Sequence, residues 1–167
     1  MYILSQIIEV LALITALISY HLKTKKQIFK GMCISAILDI VHYLLLNAYS
    51  GFFTKLLALI RNVFILKKDD NEKLNKKIYL VVFILLTIVL GILTFNDIYS
   101  ILPFIAAIIY LIVVWNGSEL QIKKIAFLCY FLWIIYNISV LSVMGIISNI
   151  IALISTYIAY INEKRSV

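Results

Sequence analysis

The sequence predicts an all-α, polytopic membrane protein: seven transmembrane helices arranged as two parallel three-helix repeats joined by a linker helix. Three observations carry this prediction. Hydrophobic residues make up 64% of the 167 residues, with one proline and a mean hydropathy of +1.07, a composition outside the range of soluble domains. Lys and Arg gather in alternate loops between the apolar stretches. Sliding the chain along itself by 94 residues lays Gly145 on Gly51, Ala152-Leu153-Ile154 on Ala58-Leu59-Ile60, and Gln121-Ile122-x-Lys124 on Gln27-Ile28-x-Lys30. Apolar composition alone produces chance matches, but shared breaks and polar positions mark a duplication.

A bilayer core takes roughly 20 apolar residues per helix. Seven stretches of about that length fit, near 3–20, 31–48, 51–67, 78–95, 99–115, 125–141 and 144–161. They use almost the whole chain, so function is expected inside the helix bundle or on its short loops. The first stretch has no basic region before it and no small-residue cleavage site before Lys23, so it reads as a span and not a cleaved signal. Basic residues follow the odd-numbered stretches: Lys23, Lys25, Lys26 and Lys30; Lys67, Lys68, Lys73, Lys76 and Lys77; Lys123 and Lys124; Lys164 and Arg165. The positive-inside rule then puts the N-terminus outside and the C-terminus in the cytoplasm. That asymmetry accounts for the net charge of +7, so nucleic acid is not an expected partner.

In the second stretch Asp39, His42 and Tyr43 share one face at i, i+3 and i+4. In the third, Gly51, Thr54, Lys55, Ala58, Arg61 and Asn62 fall within about a third of the helix circumference. The fourth holds nothing more polar than Tyr79, Thr87 and Thr94, which suits a lipid-exposed linker. An odd connecting helix restarts the second bundle in the orientation of the first, with any central site between the two. The expected units are 1–68, 69–98 and 99–167. The sixth stretch places Cys129, Trp133, Tyr136 and Asn137 on the face corresponding to that of the second; the seventh repeats the stripe of the third as Gly145, Ser148, Asn149, Ala152, Ser155 and Thr156.

Close packing through small residues accounts for Gly, Ala, Ser and Thr in these stripes. It does not account for Lys55, Arg61 or Asn149. A charge inside a bilayer costs about 3 kcal/mol on insertion scales, so it faces a partner or a wet cavity. By depth, the expected ion pairs are Asp39 with Arg61 and Glu9 with Lys55, either as fixtures of helix register or as parts of a hydrated site. The expected solute contacts are Asp39, His42, Tyr43, Arg61, Asn62, Trp133, Tyr136, Asn137 and Asn149. One bundle contributes charge and the other rings and amides, which suits a small organic solute. His42 beside Asp39 is either a hydrogen-bonding fixture or a proton carrier.

His21 and His42 are the only histidines, and Cys33 and Cys129 do not superpose under the repeat. No metal-ligand spacing, phosphate loop or nucleophile elbow is present, so no metal, no cofactor and no enzyme activity are expected. The cysteines read as small buried hydrophobes.

The block His42-Tyr43-Leu44-Leu45-Leu46-Asn47-Ala48-Tyr49-Ser50-Gly51, then Arg61-Asn62, then Trp133-x-x-Tyr136-Asn137 and Gly145, resembles the YgjV family of bacterial inner-membrane proteins over nearly the full chain. Asn47 stands where that family usually has glycine, and Asn149 where it often has an acid. The resemblance implies the bacterial inner membrane. The three-one-three plan is similar to that of the SWEET sugar facilitators and PnuC-type vitamin transporters, implying alternating access around a central site. The expected function is transport of a small polar organic solute such as a sugar, nucleoside or vitamin-like compound. The alternative is a non-transporting membrane module that binds a partner membrane protein or a lipid. Membrane lipids and the solute are the expected partners, with a homo-oligomer left open.

Overall fold

The computed structural model describes residues 1–20, 25–68, 77–116 and 119–166. Among these there are seven α-helices and no strand: α1 (Tyr2–Tyr20), α2 (Lys25–Leu45), α3 (Tyr49–Lys68), α4 (Lys77–Leu93), α5 (Leu102–Asn116), α6 (Glu119–Ser139) and α7 (Val143–Ser166). His21, Lys23 and the loop carrying Lys73 and Lys76 lie outside the described residues.

Helices α2 and α6 begin about six residues before the apolar stretches that predict them. Lys, Gln and Glu are good helix formers, and long basic side chains can reach back to the headgroup level, so the helices continue beyond the apolar stretch. A short 3-10 turn, Ile98–Ile101, precedes α5. Asp97 caps it by accepting from the Ser100 amide at 2.8 Å, and Ser100 in turn accepts from the Asp97 amide at 3.3 Å. The single proline, Pro103, is the second residue of α5, in the first turn where an amide proton has no helical acceptor.

Within each half the helices pack in sequence, α1 on α2 on α3 and α5 on α6 on α7. The halves meet along two seams, α1 against α7 and α3 against α5, closing a ring of six helices. These seams are equivalents under the repeat. Helix α4 lies against α3 and α5, outside the ring, with Phe83 and Thr87 buried and Leu85, Ile92 and Leu93 exposed.

The duplication is visible in the backbone. Helix α6 is α2 displaced by 94 residues at both ends, and α7 starts 94 residues after α3. Each corner runs through the same four bonds. Leu46, Asn47, Ala48 and Phe52 amides donate to His42, Leu44, Tyr43 and Ala48 carbonyls; Val140, Leu141, Ser142 and Ile146 amides donate to Tyr136, Ile138, Asn137 and Ser142 carbonyls. The residues at the turn, Asn47 (φ 55°) and Leu141 (φ 54°), are the left-handed non-glycine residues. This is the Schellman helix end, which satisfies the last carbonyls of α2 and α6 and reverses the chain. The buried thiol follows the repeat too: Ser35 Oγ donates to the Ala12 carbonyl at 3.0 Å, and Cys129 Sγ to the Ala106 carbonyl at 3.4 Å.

By length and composition, two helical segments are long and apolar enough to cross a membrane, Tyr2–Ser19 and Ile98–Trp115, the first segments of the two repeats. The apolar segments Lys77–Leu93, Lys124–Ser139 and Val143–Ile158 are shorter. The seven expected spans therefore reduce to two on this measure, because α4 is apolar but only 17 residues long and α2, α3, α6 and α7 carry charged and polar side chains. The outward surface is apolar: Ile7, Ile18, Ile34, Phe131, Ile138, Ile154 and Ile158 are all half exposed or more. Such a surface is stable against lipid and not against water. The interior is the reverse, built from Ala12, Ala36, Ser5, Ser35, Thr54 and Ser148, small side chains that let membrane helices approach.

Candidate functional site

The two corners bring their flanking side chains together between the halves. His42 and Tyr43 come from the end of α2, Tyr136 and Asn137 from the end of α6, and all four are fully buried. Tyr43 donates its hydroxyl proton to Asn137 Oδ1 at 2.9 Å. These residues are each other's equivalents, 94 apart, so the pseudo-twofold axis runs through their contact.

From that contact each half reaches into the other. The Tyr136 hydroxyl accepts from the Ser50 hydroxyl and the Gly51 amide, both at 2.9 Å, at the start of α3. His42 reaches the start of α7, with Nε2 2.8 Å from Ser142 Oγ. His42 Nδ1 is 2.8 Å from the Ser5 carbonyl. A carbonyl only accepts, so Nδ1 carries the proton, and in the neutral ring Nε2 accepts the Ser142 hydroxyl proton. Ser142 also accepts from the Gly145 amide at 3.1 Å. The close approach requires glycine at both helix starts. A Cβ on Gly51 would lie 2.7 Å from the Tyr43 ring and 3.0 Å from the Tyr136 ring; one on Gly145 would meet Ser142 Oγ and lie 2.8 Å from Asn137 Oδ1.

The charges pair differently from the expectation. Lys55 Nζ bonds Asp39 Oδ2 at 2.7 Å and lies 4.8 Å from the centre of the Trp133 ring and 6.0 Å from that of Tyr43. Asp39 therefore does not pair with Arg61. The physical reason is depth: Asp39 and Lys55 each lie eight residues from Asn47, about 12 Å from the corner, whereas Arg61 lies about 21 Å from it. Arg61 stands over the Tyr110 ring at 5.2 Å and donates to Asn62 Oδ1 at 3.2 and 3.4 Å. Its partners are thus a ring of α5 and a neighbour on its own helix.

Glu9 shares this cluster with Lys55, whose ammonium bonds Asp39. Glu9 is 5% exposed, its Oε2 lies 3.8 Å from His42 Nε2, and that oxygen has no hydrogen-bond partner. Among the described residues the buried Asn137 Nδ2 and Ser148 Oγ also have none. Asn149 turns back to its own helix, donating to the Gly145 carbonyl at 2.7 Å.

Of the expected contact residues, Asp39, His42, Tyr43, Trp133, Tyr136 and Asn137 gather in one cluster, joined by Lys55 and Glu9. Arg61, Asn62 and Asn149 stand apart from it in their contacts. The cluster is packed with its own side chains where a hydrated cavity is expected. Ser5 and Ser142 are missing from the expected set. Their signals are modest: Ser5 shares a face with Glu9 and Ala12 at i, i+4 and i+7, and Ser142 is a helix-capping residue type just ahead of an apolar run. Among the described residues no group of three His, Cys, Asp or Glu is placed to hold a metal ion.

A family model described as a bacterial inner membrane protein matches residues 3–166. The chain belongs to the YgjV family. Membership covers both halves, both corners and every residue of the buried cluster, and it places the exposed apolar surface in the inner membrane, against lipid. No curated protein and no solved structure matches the chain.

Proposed function

We propose that this protein moves a small polar organic solute across the inner membrane by alternating access between two three-helix bundles, residues 1–68 and 99–167, with 69–98 as linker. All seven helices cross, with the N-terminus outside and the C-terminus cytoplasmic, as the loop charges require. The plan is similar to that of SWEET and PnuC-type transporters. In this orientation both corners lie at the outer end, and the structure is a form closed on that side. Asp39, His42, Tyr43, Trp133, Tyr136 and Asn137 form the primary contact set, with Asn149 at the depth of Asp39 and with Arg61 and Asn62 deeper on the path.

The observation that carries this reading is the incomplete satisfaction of the core. Glu9 Oε2, Asn137 Nδ2 and Ser148 Oγ are buried without partners, an arrangement that costs roughly 1–3 kcal/mol per group. A packed fixture has no use for that cost. A site that opens to water and solute recovers it, and an acceptor, a donor and a hydroxyl beside Trp133 and Tyr43 suit a ring-bearing or polyhydroxylated solute.

The test is an uptake panel of sugars, nucleosides and vitamin-like compounds in proteoliposomes. One compound should enter faster than in empty liposomes, and Trp133→Ala or Asn137→Leu should slow it on the order of tenfold, the value of one ring or hydrogen-bond contact. No uptake across the panel by folded protein counts against transport. The second reading, a module that binds a membrane partner or lipid, is favoured by the dryness of the core: His42 and Asn137 are 0% and Tyr43 and Tyr136 1% exposed. Copurification of one stoichiometric partner, without uptake, selects it.

A further inference from the structure

Glu9 enters the solute reading only as an unpartnered acceptor oxygen; that reading gives its charge no role. It sits on α1 at the seam with α7, one of the two lines along which the halves must part. The groups facing it can be named helix by helix. From α2 come Asp39, His42 and Tyr43, and from α3 comes Lys55. Helix α7 contributes Ser148 beside Glu9 and Ser142 beside His42, and α6 contributes the Asn137 amide bonded to Tyr43. Arg61 is engaged on the other seam, over Tyr110.

Two carboxylates thus face one ammonium. Lys55 is taken by Asp39 at 2.7 Å, so the cluster carries one net negative charge while His42 is neutral. Burying an uncompensated charge is costly, and a single proton removes it. His42 Nε2 lies 3.8 Å from Glu9 Oε2, and that nitrogen is also the link from α2 to Ser142 of α7.

We propose that Glu9 and His42 form a proton-binding site on the α1–α7 seam, filled by one proton in this closed form and emptied as the bundles part. The proton is shared, on the Glu9 carboxyl or on His42 Nε2, and titrates as a property of the pair. With it present the cluster is neutral, and the seam closes on the bonds of His42 to Ser5 and Ser142. Without it the Glu9 carboxylate draws water into the seam and separates α1 from α7. In transport terms the site couples the solute to a proton, which rests on the alternating-access reading; the binding of the proton does not.

The experiment is infrared difference spectroscopy of the full chain in liposomes, titrated from about pH 5 to about pH 9, the span in which histidine and desolvated carboxylates change charge. The wild type should show the carbonyl band of a buried neutral carboxylic acid that shifts in heavy water and disappears as pH rises. Glu9→Gln should lack the band, and Glu9→Asp should move it. A wild type without a titrating band overturns the proposal and needs no variant to fold. So does a band that survives in Glu9→Gln, or one removed at fixed pH by exchanging choline for sodium, which makes this a sodium site. For a compound found in the uptake panel, wild-type accumulation should change about tenfold per pH unit of gradient, and Glu9→Gln should be indifferent to it. Uptake by the wild type that ignores the gradient overturns the coupling. A titrating band without any uptake defeats the transport reading and leaves the proton site standing.

Discussion

The corner between α2 and α3 and the corner between α6 and α7 share the same four backbone bonds, the same left-handed turn position and a glycine at the next helix start, Gly51 nine residues after His42 and Gly145 nine after Tyr136. Their side chains have little in common. Where the first has Asp39, His42, Tyr43 and Lys55, the second has Trp133, Tyr136, Asn137 and Asn149. The difference teaches that the repeat conserves a geometry, two hairpins docked corner to corner, while the chemistry is divided between the halves. Charge is held on one side of the axis, and the rings and amide that face it come from the other. Lys55 over Trp133, at 4.8 Å, is that division in a single contact.

The largest test of this asymmetry compares the equivalent positions 55 and 149. Lys55→Ala leaves the Asp39 carboxylate, 13% exposed, without its ammonium, and should destabilise by about 3 kcal/mol. Asn149→Ala removes one bond to its own helix and should cost about 1 kcal/mol or less. Asp39→Asn with Lys55→Gln should recover most of the first loss, since it removes both charges. Thermal unfolding in detergent, followed by the fraction still monodisperse, reads all three. Equal effects at 55 and 149 would remove the case for a charged half and a neutral half.

The shared geometry is broken by filling the corners. Gly51→Ala drives a methyl into two buried rings, and Gly145→Ala drives one against Ser142 and Asn137. Overpacking costs about 1–3 kcal/mol, partly offset by the better helix propensity of Ala, about 1 kcal/mol. A net loss near 1–2 kcal/mol is expected at both sites. Gly91→Ala on α4, outside the ring, meets only Phe104 at 3.3 Å and should be close to neutral. Tyr136→Phe strips the acceptor of the Ser50 hydroxyl and the Gly51 amide and should cost about 1–2 kcal/mol. Neutral behaviour of both ring glycines would show that the corners are looser in solution than the structure has them.

Much of this arrangement was legible in the residues. The offset of 94 is visible from Gly51 and Gly145 together with the matched blocks Ala58-Leu59-Ile60 and Ala152-Leu153-Ile154, and the spacing of Asp39, His42 and Tyr43 on one helix, with Trp133, Tyr136 and Asn137 on another, assembles most of the cluster. The pairing of charges was not legible, and the cause is local. Depth has to be measured from the corner, and neither corner carries the glycine that marks a left-handed turn; Asn47 and Leu141 occupy it instead. Measured from the basic loops, Asp39 falls level with Arg61, because α2 runs six residues past its apolar stretch. Ser5 and Ser142 were obscured for another reason: a lone serine in an apolar run is ordinary, and only the fold turns these two toward His42.

The smallest expected effect separates the two corners at that same turn position. A left-handed backbone costs a residue with a Cβ about 1–2 kcal/mol, and Asn tolerates it better than Leu because its short polar side chain can bond locally. The Leu141 side chain is 73% exposed, so replacing it forfeits little packing, and the Tyr2 hydroxyl bonds the Leu141 carbonyl, which glycine keeps. Leu141→Gly should therefore stabilise by about 1 kcal/mol, reduced by the greater freedom glycine gives the unfolded chain. Asn47→Gly should gain only a few tenths of a kcal/mol. Paired unfolding curves of the two variants decide it. A loss at Leu141→Gly would mean that the exposed leucine is held by lipid or by a second chain, and that the second corner has traded backbone strain for an outward contact that the first corner lacks.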